Sequence, residues 1–302
     1  MYRNNTTTGK IMFENLIPNA ILAMTVGALL LSQTAAQAWT LTPMKLERTL
    51  KPGESFTDVL VIDNAGASDS KRFEMKIIDW SLDKKGSLLY TEPGVIPQSF
   101  ASGIICSPMQ FKCAPGERKL VRYTLTLPKE ASPGEHTVGI QALEVVIPPK
   151  DAASGRINVG VAVKCGFLCA MSINVPTIQT KQTEPVSLNF EPSNAQQQAS
   201  ILLQVKNDSN ARVRPFWSFT LLDQEGKKVY EEPNSDHLIL RESERIISCP
   251  IKANMPVGKY KVVGKLDQGV TYPVQELEKE FEIQKAETYT PDIASKQSHP
   301  SP

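Results

Sequence analysis

The stretch FEMKIIDWSLDKKG, residues 73–86, alternates apolar and polar side chains up to Trp80 and then meets the turn Asp83-Lys84-Lys85-Gly86. A period of two puts one row of side chains against a core and the other toward solvent, so this is a half-buried β-strand entering a hairpin. A second copy lies downstream. FWSFTLLDQEG, residues 216–226, pairs the same kind of strand with the turn Asp223-Gln224-Glu225-Gly226.

The match extends outward. VLVI, residues 59–62, runs up to Asn64 as ILLQV, residues 201–205, runs up to Asn207. Pro133-Gly134-Glu135-His136, with Pro128 ahead of it, is mirrored by Pro256-Val257-Gly258-Lys259-Tyr260. From the Asn to the turn glycine the spacing is 22 residues in the first copy and 19 in the second. From that glycine to the next turn, at Gly116 or Ser243, it is 30 against 17. The first copy therefore carries an insertion at roughly residues 88–105, and the chain reads as two related units in tandem.

Further runs, VRYTLTL at 121–127 and the segment 137–146, are rich in β-branched residues and bounded by Gly, Pro, Asn and Asp. No convincingly capped helix is found. The fold class is all-β, with two β-sandwiches. The seam falls within residues 176–198, which gives units at 39–176 and 177–284. The polar, Pro-containing residues 285–302 are expected to be a disordered tail.

Residues 1–38 set the compartment. Arg3 and Lys10 precede the unbroken run AILAMTVGALLL at 20–31, and Ala36-Gln37-Ala38 follows it. Twelve apolar residues suit a secretory signal and fall short of the ~20 a spanning helix needs, as an uncleaved anchor would require. The mature chain is expected to start at Trp39, outside the cytoplasm, with no membrane insertion after cleavage. Removing Arg3, Lys10 and Glu14 from 33 basic and 32 acidic residues leaves 31 of each. With no basic block, nucleic acid is excluded as the main partner.

Catalytic signals are weak. The three histidines, His136, His237 and His299, are scattered, and there is no HExxH, GxSxG or glycine-rich phosphate loop. The reading assigns no catalytic residue, no cofactor and no metal. The five cysteines, Cys106, Cys113, Cys165, Cys169 and Cys249, read first as small buried hydrophobes. An oxidising compartment leaves room for one or two bridges, with connectivity open. If the chain stays extended, Cys165 and Cys169 lie about 13 Å apart and cannot bridge directly.

INVGVAVKC, residues 157–165, has large apolar Ile157, Val159, Val161 and Val163 on one parity and Asn158, Gly160, Ala162 and Lys164 on the other. Such a strand either faces its own core or forms an edge that completes a partner's sheet.

Over residues 41–176 the chain resembles the N-terminal domain of the PapD-like periplasmic pilus chaperones. The resemblance is carried, in order, by Lys51-Pro52-Gly53-Glu54, Asn64, Asp79-Trp80, the segment GIICSPMQF at 103–111, Ala114-Pro115-Gly116-Glu117, Arg122 and Pro133-Gly134-Glu135. It implies two immunoglobulin-like domains set at an angle, no enzyme activity, and capture of pilin-like subunits by donated-strand pairing, with an outer-membrane usher as a further partner. In that family an Arg on the first strand and a Lys on the last strand of the first domain hold the subunit's terminal carboxylate. The nearest matches are Lys45 and Lys164. Lysine offers a point charge without the bidentate fork of arginine. The subunit-binding residues implied are thus Lys45, Lys164, Val159, Val161 and Val163, in a periplasmic protein.

The second unit, with NDSNARVRPFWSFTLLDQEGK at 207–227, and the segment GVAVKCGFLCAMSINV at 160–175 also resemble immunoglobulin-like surface proteins that accompany WxL-domain proteins. That resemblance implies a structural or adhesive role at the cell surface.

Overall fold

A computed structural model of the chain describes residues 39–67, 69–97, 99–145 and 165–289. The expected leader, Val159, Val161, Val163, Lys164 and residues 290–302 lie outside the described residues.

Alternating sequence produces strands throughout. The first part of the chain forms β1 (Thr40–Thr42), β2 (Lys45–Thr49), β3 (Ser55–Asp63), β4 (Lys71–Leu82), β5 (Leu88–Thr91), a 3-10 turn at Ala101–Gly103, β6 (Ile104–Ser107), β7 (Gln110–Cys113), β8 (Arg118–Thr126), β9 (Gly134–Glu144) and β10 (Gly166–Val175). The second part forms β11 (Glu184–Glu191), β12 (Ser200–Asn207), β13 (Phe216–Asp223), β14 (Lys228–Asp236), β15 (Ser243–Pro250), β16 (Gly258–Asp267) and β17 (Gln275–Ile283).

In the first sandwich, a sheet of order β1-β3-β8-β6 faces one of order β2-β10-β9-β4-β5, with β7 also paired to β4. Leu60, Ile62, Tyr123 and Leu125 from one sheet meet Phe73, Met75, Ile140 and Met171 from the other in a single core. Trp39 closes one end of it, edge-on to Phe73 at 4.7 Å and to Phe167 at 4.6 Å. The Trp39 indole N–H donates to Glu144 at 3.1 Å, and Lys71 pairs with the same carboxylate at 2.6 Å. In the second sandwich β11-β12-β15 faces β14-β13-β16-β17 around Ile201, Leu203, Trp217, Leu221 and Val262.

The internal repeat is a repeat of hydrogen-bond chemistry. Asn64 follows β3 and is fully buried; its amide donates to the carbonyls of Asp69, Cys113 and Ala114 at 3.2, 3.3 and 3.1 Å. Asn207 ends β12, equally buried, and donates to the carbonyls of Ala211, Ile239 and Leu240 at 2.9, 3.3 and 2.8 Å. Both hairpin turns work alike. The Asp83 carboxylate accepts the Ser87 N–H at 2.7 Å and the Asp223 carboxylate accepts the Lys227 N–H at 2.8 Å. Gly86 and Gly226 take φ of 86° and 76°, which a residue with Cβ adopts at a cost.

The extra segment of the first copy starts later than its spacing suggests. Strand β5 pairs with β4 as β14 pairs with β13, so Leu88 belongs to the shared hairpin. The additional elements are the 3-10 turn, β6 and β7, reaching Cys113. The buried Asp79 carboxylate holds the approach to them, accepting the Gly94 N–H at 2.8 Å, the Ile96 N–H at 3.2 Å and the Ser99 hydroxyl at 2.6 Å.

Order also extends past 284, the expected start of the tail. Glu287 exchanges backbone hydrogen bonds with Met255, and its carboxylate accepts the Ser193 N–H at 3.1 Å. The Tyr289 N–H donates to Asn254 at 2.8 Å.

Sheet margins differ in chemistry. Edge strand β17 carries Glu276, Glu278, Glu280 and Glu282 on one exposed face, with Lys261 paired to Glu278 at 2.5 Å and Lys265 to Glu276 at 3.7 Å. The β13–β14 pairing shifts register twice, and edge strand β14 contains Pro233. Edge strand β11 has a register shift beside Pro185.

All five cysteines are unbridged; Cys165 is exposed and the other four are buried. Burial pushes the Cys106 thiol up to about 11 and those of Cys169 and Cys249 up to about 12, so none is a ready nucleophile. We expect a thiol-specific reagent such as DTNB to modify one cysteine, Cys165, in the native protein and all five after unfolding. A second fast-reacting native thiol would contradict the burial of the other four.

Candidate functional site

Strand β10 runs antiparallel to β9 along its whole length but pairs with β2 only from Ala170 to Asn174. The Ala170 N–H donates to Met44 at 2.9 Å and the Asn174 carbonyl accepts from Leu50 at 3.0 Å. Even-numbered residues of β10 therefore aim their backbone groups away from β9. Gly166 and Leu168 share that alternation, yet among the described residues no strand pairs with them on that side. Among the described residues, the upstream half of β10 is thus unpaired on that side.

Odd-numbered Cys169, Met171, Ile173 and Val175 face the first core and are fully buried. Leu168 and Ala170 face the second sandwich, where Leu168, Ile78, Trp80 and Leu240 form a separate apolar cluster. Cys165 precedes the strand, which begins at Gly166. The expected row at Val159, Val161 and Val163, with Lys164, lies immediately upstream and outside the described residues.

Lys45 opens β2 beside Ala170 and is exposed. Its ammonium lies 2.5 Å from Oε1 of Glu47 on the same face of the strand. The second cation beside Glu47 comes from the other sandwich. Arg212, in the loop after β12, pairs through Nη2 with that same Glu47 oxygen, donates from Nη1 to Ser172 at 3.2 Å, and sets Nε 3.3 Å from Glu135. Lys45, and then Arg212, hold the Glu47 carboxyl below the usual range.

Glu135, 2% exposed, is the hub between the sandwiches. Its carboxylate accepts the Arg212 backbone N–H at 2.7 Å, its own N–H donates to Asn210 at 2.7 Å, and its carbonyl accepts from Arg241 at 2.9 Å. A buried carboxylate is tolerated because Oε2 is hydrogen-bonded and Oε1 is ion-paired with Arg212. Nearby, the hairpin tip docks on the second sandwich: the Lys84 carbonyl accepts the Ile246 N–H at 2.6 Å, and Lys84 pairs with Glu244 at 2.8 Å.

From sequence, Lys45 was named and Glu135 appeared only as part of the Pro133-Gly134-Glu135 turn, whereas Glu47 and Arg212 were missed. One signal was present. Glu135 stands where the second copy has the exposed Lys259, and only the first of these faces another unit.

No protein-family model matches the sequence, and a search of curated proteins finds no match. Among solved structures the fold is similar to that of the class 5 fimbriae chaperone CfaA, 14% identical, covering 80% of this chain and 98% of that chain at a TM-score of 0.38. It is similar to the CsuC–CsuE chaperone-tip adhesion subunit complex of Acinetobacter baumannii Csu pili, 16% identical, covering 80% and 97% at a TM-score of 0.39. The E. coli chaperone DraB is 16% identical, covering 82% and 98% at a TM-score of 0.38.

Proposed function

We propose that this chain is an exported, non-enzymatic chaperone that captures pilin-like subunits by lending them a strand. One observation supports this reading above the rest: among the described residues β2 covers only half of β10, and the uncovered half is continuous in sequence with the alternating row Val159, Val161 and Val163. Open backbone groups supply affinity for an added strand, and a row of alternate apolar side chains supplies the fit. Lys164 beside that row and Lys45 at the start of β2 are the proposed point charges for the partner's carboxylate. The proposed compartment is the periplasm, with an outer-membrane usher receiving the loaded complex. No helix among the described residues is long and apolar enough to cross a membrane.

Co-expression with a pilin-like subunit tests the reading. A one-to-one complex should be recovered from the periplasm, and the subunit should be degraded without this chain. A chain that stays alone while the subunit persists would favour the structural or adhesive role and overturn the chaperone.

Export carries its own test. Trp39, the first residue after Ala36-Gln37-Ala38, is already core, at 2% exposure. N-terminal sequencing of the exported protein is expected to begin at Trp39. An intact Met1 terminus on a cytosolic product would remove the compartment argument.

A further inference from the structure

Two cations from different sandwiches meet at one oxygen. Lys45 on β2 and Arg212 from the loop after β12 both contact Oε1 of Glu47. The partners of Arg212 are not equivalent. Glu135 is 2% exposed and locked by several further bonds, whereas Glu47 is 44% exposed. Glu47 is therefore the carboxylate that can leave without opening the junction. An exposed glutamate gains little from its ion pairs, because water screens them and the side chain loses freedom in making them.

The location gives this carboxylate a role. Because Lys45 sits beside Ala170, a strand added along the open edge of β10 at residues 166–169 lies in line with β2. Running parallel to β10, such a strand would bring its C-terminal end to Met44 and Lys45. Its terminal carboxylate would arrive where Glu47 now sits, between an ammonium and the Nη2 end of a guanidinium.

We infer that Glu47 is a built-in stand-in for the partner's carboxylate, neutralising Lys45 and Arg212 in the free protein and yielding them when a captured chain arrives. The inference rests on the chaperone reading and adds two things to it. The second anchoring cation is Arg212, supplied by the second sandwich. Capture also exchanges one tie between the sandwiches, Arg212 to Glu47, for a tie through the partner, while the Glu135 ties stay.

The test uses the full-length mature protein and an octapeptide of alternating valine and threonine, made once with a free carboxyl terminus and once amidated. Glu47→Gln removes the competing charge and keeps the side-chain shape. It should tighten binding of the free-carboxylate peptide by about tenfold, equivalent to about 1.4 kcal/mol, and leave the amidated peptide unchanged. Adding Lys45→Ala to Glu47→Gln should cancel most of the gain. Equal tightening of both peptides, or no carboxylate-dependent binding by Glu47→Gln, overturns the inference. Capture of a pilin-like subunit is scored separately. Intact capture with no response to Glu47→Gln sinks the stand-in and leaves the chaperone reading in place; a normal peptide response with no subunit capture does the reverse.

Discussion

Asn64→Asp is expected to unfold the first sandwich at temperatures where the wild-type chain is intact. The Asn64 amide is fully buried and shares its two N–H groups among three loop carbonyls. Asp is the same shape but presents only oxygen to those carbonyls, so it adds repulsion or a buried proton to the loss of the bonds. Alanine at 64 should cost roughly 3 kcal/mol, from acceptors left without donors at about 1–3 kcal/mol each, and lower the melting temperature by about 10 °C. Asp should cost more than Ala. Asn207→Ala and Asn207→Asp should repeat that order in the second sandwich, where Oδ1 of Asn207 also accepts the Ser209 N–H at 2.9 Å. Thermal melts of the four variants check it, and an Asp variant milder than its Ala counterpart would contradict the donor role of the amide.

The second large effect is on capture. Val161→Asp is expected to abolish recovery of a pilin-like subunit while moving the melting temperature by less than about 2 °C. A side chain that fills a partner's groove is exposed in the free protein, and surface changes usually stay within about 0.5 kcal/mol. If Val161 faced its own core, the buried unpaired charge would cost several kcal/mol and the protein would melt early. Pull-down and melt on one preparation separate the two. A strongly destabilised Val161→Asp excludes donation at this residue, and undiminished capture by Val161→Asp and Lys164→Ala together excludes it for the strand.

What could be read from sequence was local chemistry. The Asn at the end of a strand and the Asp-x-x-Gly turn identify themselves within a few residues, and they turned out to be the bonds that define both copies. The insertion was legible as a length difference, but its limits were not. Leu88 to Tyr90 are as apolar as a core strand, and nothing nearby says that β5 completes a hairpin while β6 and β7 join different sheets. The Arg212 cluster was illegible for a different reason. Its bonds reach across 77 residues to Glu135 and 165 to Glu47, so they exist only once two finished sandwiches dock. At 285–289, the described part of the expected tail, polar composition was read as disorder, whereas Glu287 is held by the backbone of Met255 and by Ser193.

The glutamate row on β17 acquires its meaning beside the open half of β10. A molecule with two receptive margins would hand each captured strand on to the next copy and grow without limit. On the proposed reading the upstream half of β10 receives a strand, whereas among the described residues β11, β14 and β17 are interrupted by proline or register shifts, or fenced with charge. On that proposal those three margins offer a captured strand no second place to pair, as suits a carrier that must arrive with its cargo and leave without becoming part of the fibre.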